Sequence, residues 1–474
     1  TLNPILMKRL GKEHELAQWM GFKSYFALAQ QIRRVDTRKL LLSGDAFMKS
    51  TDGAFKKLMK RVVRESLGKK LSQMTRSDHL RLMRAPKAER FLPRHLMVPT
   101  FKHFLEGIGL DLSTAARTQV EIDDLPHPNK NPRAACFPIE VPGDVRISVK
   151  PKGGVESWAT LFHEGGHALH FAWTKEKRFA FQKLGNGTAT EAYAELFARV
   201  WAEPRWLERY REFVRARNRS RAAHKRWIQS LQKRPFFITA KKMGLGLSRS
   251  LKRRRRVPLM SKKDMAYVIR HRLAWDMYLY RRYGWAKLIY EGALHGAEDS
   301  LWAGVYKGEI SDRKALYKDL FSKAYGYSLR EMDAQRYLAD VDPFLYAADY
   351  ARAFLGADRI IEHLRKEFGD NWFENKKVGP YLKKLWAKGT RWTAEGVVKQ
   401  LGYKRLDYSG SKARFERLWK AAQLGPRSSK GAFARPRHRG RAHARTRTRP
   451  RPEPRCAGGK KPDKRGMCPI PIAR

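Results

Sequence analysis

The chain has 474 residues, 42% of them hydrophobic and including 13 Trp, 18 Tyr and 23 Phe, which supplies a sizeable core and excludes a wholly disordered protein. Lys and Arg number 100 against 46 Asp and Glu, a formal net charge of +54, so polyanions such as nucleic acid, anionic lipid or acidic peptides are expected to be attracted, whatever the fold. No apolar run reaches the roughly 18–20 residues that cross a bilayer, no signal peptide is visible, and Cys136, Cys456 and Cys468 match neither a zinc knuckle nor a disulfide framework, so a reducing, cytoplasmic location is expected.

Residues 2–125 read as an N-terminal helical part. Apolar positions recur near a period of 3.6 in LNPILMKRLGKEHELAQWMGF, with Gly21 as a stop, and again in SYFALAQQIRRV and AFKKLMKRVVRESLGKKL. The pattern is already under way at Thr1, which leads us to expect that N-terminal residues are missing. A catalytic part is expected over 126–424. It opens on a segment rich in Pro and Gly, where ACFPIEV and DVRISVK predict two short strands joined by a turn at Pro142–Gly143–Asp144.

From Val155 the helical pattern returns. ESWATLFHEGGHALHFAWTK predicts one helix and TATEAYAELFARVWAE another, followed by AAHKRWIQSLQK and AYVIRHRLAWDMYLYRR. Residues 241–256, KKMGLGLSRSLKRRRR, interrupt the helices as a basic insertion. Residues 425–474 are an Arg-rich, low-complexity tail that cannot bury enough apolar surface to fold alone, so disorder is predicted there. The fold class expected is mainly α, with a small β element before the helix that carries the chemistry.

That helix contains His163-Glu164-Gly165-Gly166-His167, an HExxH motif. Residues i and i+4 share a helix face, so both imidazoles can reach one ion. Glu164 projects beside that ion, where it can take a proton from a water that zinc acidifies and pass it to a leaving amine. Apolar residues Leu161, Phe162, Ala168 and Leu169 predict burial of the helix. Each glycine costs about 1 kcal/mol against Ala in a helix, which predicts close approach by another backbone. A catalytic zinc takes three protein ligands and one open position. Glu191 and Glu195, at i and i+4 on an apolar helix, supply the candidates: Glu191 as third ligand and Glu195 as the group orienting a histidine, with the reverse assignment open. One Zn2+ per chain is expected.

TLFHEGGHALH followed by TATEAYAELF, 28 residues after the first histidine, resembles the M3 family of zinc oligopeptidases, the thimet oligopeptidase and oligoendopeptidase F group. ACFPIEVPGDVRISVK is similar to the strand pair before the motif in that family, and DPFLYAADYARAFLGA to its tyrosine segment. The resemblance covers most of residues 1–420. It implies His163, His167 and Glu191 as zinc ligands and Glu164 as catalytic base. It also implies that Tyr346 and Tyr350 contact the substrate and the oxyanion, Tyr350 being the better oxyanion donor. Two helical halves would flank a deep channel with zinc at its floor, admitting short peptides for internal cleavage, and the strand Ala135–Val141 would pair with the extended substrate.

Two departures stand out. YLADVDPFLY carries Asp340 and Asp342 where the family usually has a histidine, and the second glutamate follows Glu191 after four residues rather than about seven. Two other classes of function fit parts of the sequence: a polyanion-binding protein with a vestigial site, using the insertion and tail, and a zinc carboxypeptidase. No feature sets a side-chain preference.

Overall fold

Apolar side chains spaced every three to four residues turn most of this chain into helix. The computed structural model describes residues 2–112, 119–124, 130–219, 229, 256–297 and 312–423. These all belong to one compact unit, Thr1–Phe433. The N-terminal stretch forms α1 (Asn3–Trp19), α2 (Tyr25–Arg33), α3 (Thr37–Leu67), α4 (Arg76–Met83) and α5 (Met97–Gly107). α1 stops just before Gly21, whose φ is +85°. α3 is a single helix of 31 residues, with the Asp36 side chain accepting from the Lys39 amide at its start and Gly68 in the left-handed region at its end.

The sheet has one strand more than the sequence predicts. Within the stretch read as helical, Gln119–Asp123 is a strand, β1. QVEID alternates, with Val120 and Ile122 packed against the core, and five residues are too few to carry a helical period. β2 (Ala135–Glu140) and β3 (Asp144–Ser148) are the expected pair and run antiparallel, with an irregularity at Pro138–Glu140. β1 joins β3 in parallel, so the order is β1-β3-β2 and β2 lies at an edge.

The chain then enters α6 (Gly154–Ala172), α7 (Thr188–Ala198) with a 3-10 turn over Arg199–Ala202, and α8 (Pro204–Arg219). The helix expected over 222–233, apart from position 229, lies outside the described residues, as do the basic insertion, apart from Arg256, and the tail 425–474. α9 (Lys262–Arg281) starts on a Ser261–Asp264 capping box and passes through a π turn at Arg282–Ala286 into α10 (Lys287–Leu294). α11 (Arg313–Tyr325), α12 (Tyr346–Phe368), α13 (Val378–Trp386), α14 (Ala394–Gln400) and α15 (Ser409–Ala421) complete the bundle, apart from single-turn helices. Among the described residues no helix is long and apolar enough to cross a membrane.

Aromatic packing fixes the helix that bears the motif. Trp158 and Phe162 of α6 meet Trp201 edge-on at centroid distances of 5.1 and 5.3 Å, and Phe162 also meets Trp206 of α8 at 5.9 Å. Such pairs contribute about 0.5–1.5 kcal/mol each beyond area burial.

One core histidine predicts acid sensitivity. His79 of α4 is buried against the rings of Tyr278 and Tyr325, and neither ring nitrogen has a hydrogen-bond partner. Burial first, then Arg282 and Arg76, push its pKa down to about 3 from 6.5. A depressed histidine contributes stability above its unfolded value, and that contribution is lost as pH falls below about 6.5 towards 3. His79→Phe is therefore expected to gain on wild type by about 2–3 kcal/mol between pH 7 and pH 4.5. Urea unfolding at the two pH values measures this, and a difference that does not change with pH would refute it.

Candidate metal centre

α6 and α7 pack along their length, and the glycines of the motif permit it. A Cβ on Gly166 would lie 2.6 Å from both Ala194 Cα and Tyr193 O, the backbone of α7. The expected backbone approach therefore occurs at Gly166. Gly165 differs, since a Cβ there would meet the ring of Phe101 at 2.2 Å, a side chain of α5.

This contact brings the ligand candidates together. One donor atom each from His163, His167 and Glu191 lies within 4.8 Å of the other two. Glu191 Oε2 stands 3.5 Å from His163 Nε2 and 3.6 Å from His167 Nε2. Donors at about 2.0–2.2 Å around a tetrahedral ion are roughly 3.3–3.5 Å apart, so both carboxylate–imidazole spacings suit one zinc. Glu191 Oε2 is buried and has no hydrogen-bond partner, an orphaned acceptor at the point where the three side chains converge. Burial opposes charge on Glu191, but His167 and His163 outweigh it and hold the carboxylate well below its usual range. Burial likewise opposes charge on His163, and Glu191 and Glu195 reverse the balance, raising it well above the ordinary value. Two imidazole Nε2 atoms and a buried carboxylate oxygen that converge on one point form a donor set suited to a cation, which on binding would replace the proton that the two glutamates favour on His163.

The remaining nitrogens are oriented from outside. His163 Nδ1 lies 3.2 Å from Glu195 Oε1, and His167 Nδ1 lies 2.9 Å from Thr190 Oγ1. Glu191 Oε2 thus lies between the two Nε2 atoms and Glu195 behind His163 Nδ1. Both glutamates are only 7% exposed, which removes the possibility that they are solvated surface groups. Sequence reasoning missed Thr190, whose only signal is its place immediately before Glu191. Glu164 is half-buried and lies close enough to Cys136 of β2 that burial and then its charge push that thiol well up.

The two tyrosines separate. The Tyr346 hydroxyl donates to Glu191 Oε1 at 3.1 Å, so it engages a ligand candidate directly. Tyr350, one turn on, lines a cavity of about 230 Å³ together with His163, Glu195, Thr160, Arg272 and Tyr283. The aspartates standing where a histidine was expected do other work. Asp340 pairs with Arg76 and Arg282, both at 3.3 Å, and Asp342 with Lys287 at 2.6 Å. Phe344 and Leu345, just before Tyr346, both have φ near +50°, and Arg33 of α2 donates from Nε to Phe344 O at 2.9 Å. Such left-handed backbone in bulky residues is strained and is held by its surroundings.

No family model and no curated protein matches the chain. Among solved structures it is similar to Trypanosoma cruzi metallocarboxypeptidase 1, at 16% identity over 88% of this chain and 76% of that one, with a TM-score of 0.49.

Proposed function

We propose that this chain is a zinc-dependent metallopeptidase that hydrolyses short oligopeptides by internal cleavage. The observation that carries the reading is the convergence of His163, His167 and Glu191 on one point, with Glu164 next to the first histidine. Zinc bound there would polarise the scissile carbonyl and acidify a water. Glu164 accepts the proton of the attacking water and delivers it to the leaving amine. Tyr350, facing the cavity beside His163, donates to the carbonyl oxygen as negative charge develops on it. Tyr346 and Glu195 hold ligands in place. β2, an edge strand among the described residues, lends main-chain groups to an extended peptide, which would replace the bonds that Lys183 Nζ donates to Pro138 O and Ile139 O at 3.2 and 3.3 Å. The test is metal content together with cleavage of an internally quenched peptide, before and after chelation. About one zinc per chain and chelator-sensitive cleavage are expected, and a chain that binds no zinc and cleaves nothing is not this enzyme.

A specific observation favours a second reading, removal of C-terminal residues. Arg272 of α9 lines the same cavity, is 5% exposed, and its Nε has no hydrogen-bond partner. A buried guanidinium of this kind suits a carboxylate. Under the first reading, amidating the C terminus of the quenched peptide changes kcat/KM by less than about threefold, whereas a fall beyond ~100-fold, abolished in Arg272→Gln, moves the protein to the second.

A further inference from the structure

Behind the metal centre lies a buried set of charges, several of which have no part in the reaction itself. Arg199 follows Glu195 by one turn and is 0% exposed. Its Nη2 lies 3.4 Å from Glu195 Oε2. Its Nη1 donates to the Tyr280 hydroxyl at 2.9 Å and stands 3.4 Å from Asp358 of α12 and 3.7 Å from Asp276 of α9. The rings of Tyr280 and Phe354 flank the guanidinium at 5.3 and 5.6 Å. Arg414 of α15 closes the cluster, with Nη1 donating to Asp276 Oδ2 at 2.7 Å, and Arg272 lies 3.8 Å from Asp276. Three guanidiniums thus face three carboxylates from four helices, with Glu203 as a fourth carboxylate 3.9 Å from Arg414, and little solvent to balance them.

We propose that Arg199 is a positioning residue of the metal centre: it holds the Glu195 carboxylate against His163 Nδ1 and so presents His163 Nε2 to the point shared with His167 and Glu191. The inference rests on the zinc site proposed above. An ionised carboxylate only accepts hydrogen bonds, so His163 Nδ1 is the donating nitrogen, and Nε2 is the one that would give up its proton and offer a lone pair to zinc. Glu195 can impose that choice only if its own pose is fixed. One oxygen faces His163 and the other faces Arg199, which in turn is held by Tyr280, Asp276 and Asp358. Helices α9 and α12 therefore set the angle of a ligand on α6 through two residues of the α7 segment. A mere packing role for Arg199 would leave the metal affinity of the folded protein untouched.

The experiment is a double-mutant cycle on zinc binding to the full chain, made apo and titrated with zinc against a chromophoric chelator. Glu195→Gln breaks the ion pair and is expected to weaken zinc binding about 10–100-fold. Arg199→Lys keeps the charge but loses the fork, and is expected to weaken it about tenfold. The double variant is expected to bind within about twofold of Glu195→Gln alone, because both changes act through one carboxylate. An unchanged zinc dissociation constant in folded Arg199→Lys, or effects that multiply in the double variant, overturns the proposal. If Arg199→Lys fails to fold, Tyr280→Phe carries the test: it removes only the hydroxyl that Arg199 grips. Weakening of about threefold is then expected, on the general scale of outer-ligand effects, and none overturns the role. Wild type that binds no zinc refutes the metal centre itself, an outcome distinct from wild type that binds while the variants match it.

Discussion

Glu164→Gln is expected to lower peptide hydrolysis by about 10³-fold while the protein keeps its zinc. The two halves of that result have separate causes. Glu164 is not among the three side chains whose donor atoms converge, so its carboxylate can be neutralised without dismantling the centre. Gln has the same shape and sits in the same half-buried position next to His163, facing β2, but it cannot accept a proton. Metal analysis and kcat on the internally quenched peptide, measured on one preparation, decide the matter. Activity within tenfold of wild type would place the base elsewhere. Zinc lost together with activity would make Glu164 a ligand.

Gly166→Ala should have the largest effect on the protein as a whole. The added Cβ would be 2.6 Å from Ala194 Cα and from Tyr193 O, and neither is a side-chain end that can swing aside. α6 and α7 must separate, and with them His163 and His167 from Glu191. A loss of about 3 kcal/mol or more is expected, at the upper end of overpacking costs, together with loss of stoichiometric zinc. Gly165→Ala provides the contrast. There the obstacle is the Phe101 ring, which can shift, and Ala recovers about 1 kcal/mol of helix propensity. Thermal unfolding and metal content of both variants measure the difference, and a Gly166→Ala protein as stable and as zinc-loaded as wild type would refute the packing argument.

The candidate ligand set was legible because its signal is local. His163, Glu164 and His167 are bound to one helix by spacing, and Glu191 with Glu195 stands out as a pair of carboxylates on an apolar helix. Period alone also located α6, α7 and the β2–β3 pair to within a few residues. What stayed hidden depends on distant chain segments. β1 is five residues long and acquires its strand character from β3, 25 positions ahead in the register Gln119↔Asp144. Thr190, Arg199 and Arg272 are ordinary residues on helical patterns, and only packing against α6, α9 and α12 turns them towards the site. Tyr346 was visible through family resemblance, but its bond to Glu191 was not: that requires the left-handed turn at Phe344–Leu345, which no period announces.

The buried ion cluster around Arg199 has a further consequence for how the protein responds to added salt. Mobile ions screen exposed charges beyond roughly 8–10 Å at near-physiological strength but cannot enter a dry interior. Any attraction of a polyanion to a chain carrying a net +54 would therefore weaken as salt rises, while the Glu195–Arg199–Asp358 contacts, whose members are at most 9% exposed, keep their strength. Ionic strength would thus act as a dial that turns down surface adhesion and leaves the geometry of the candidate metal centre where it is.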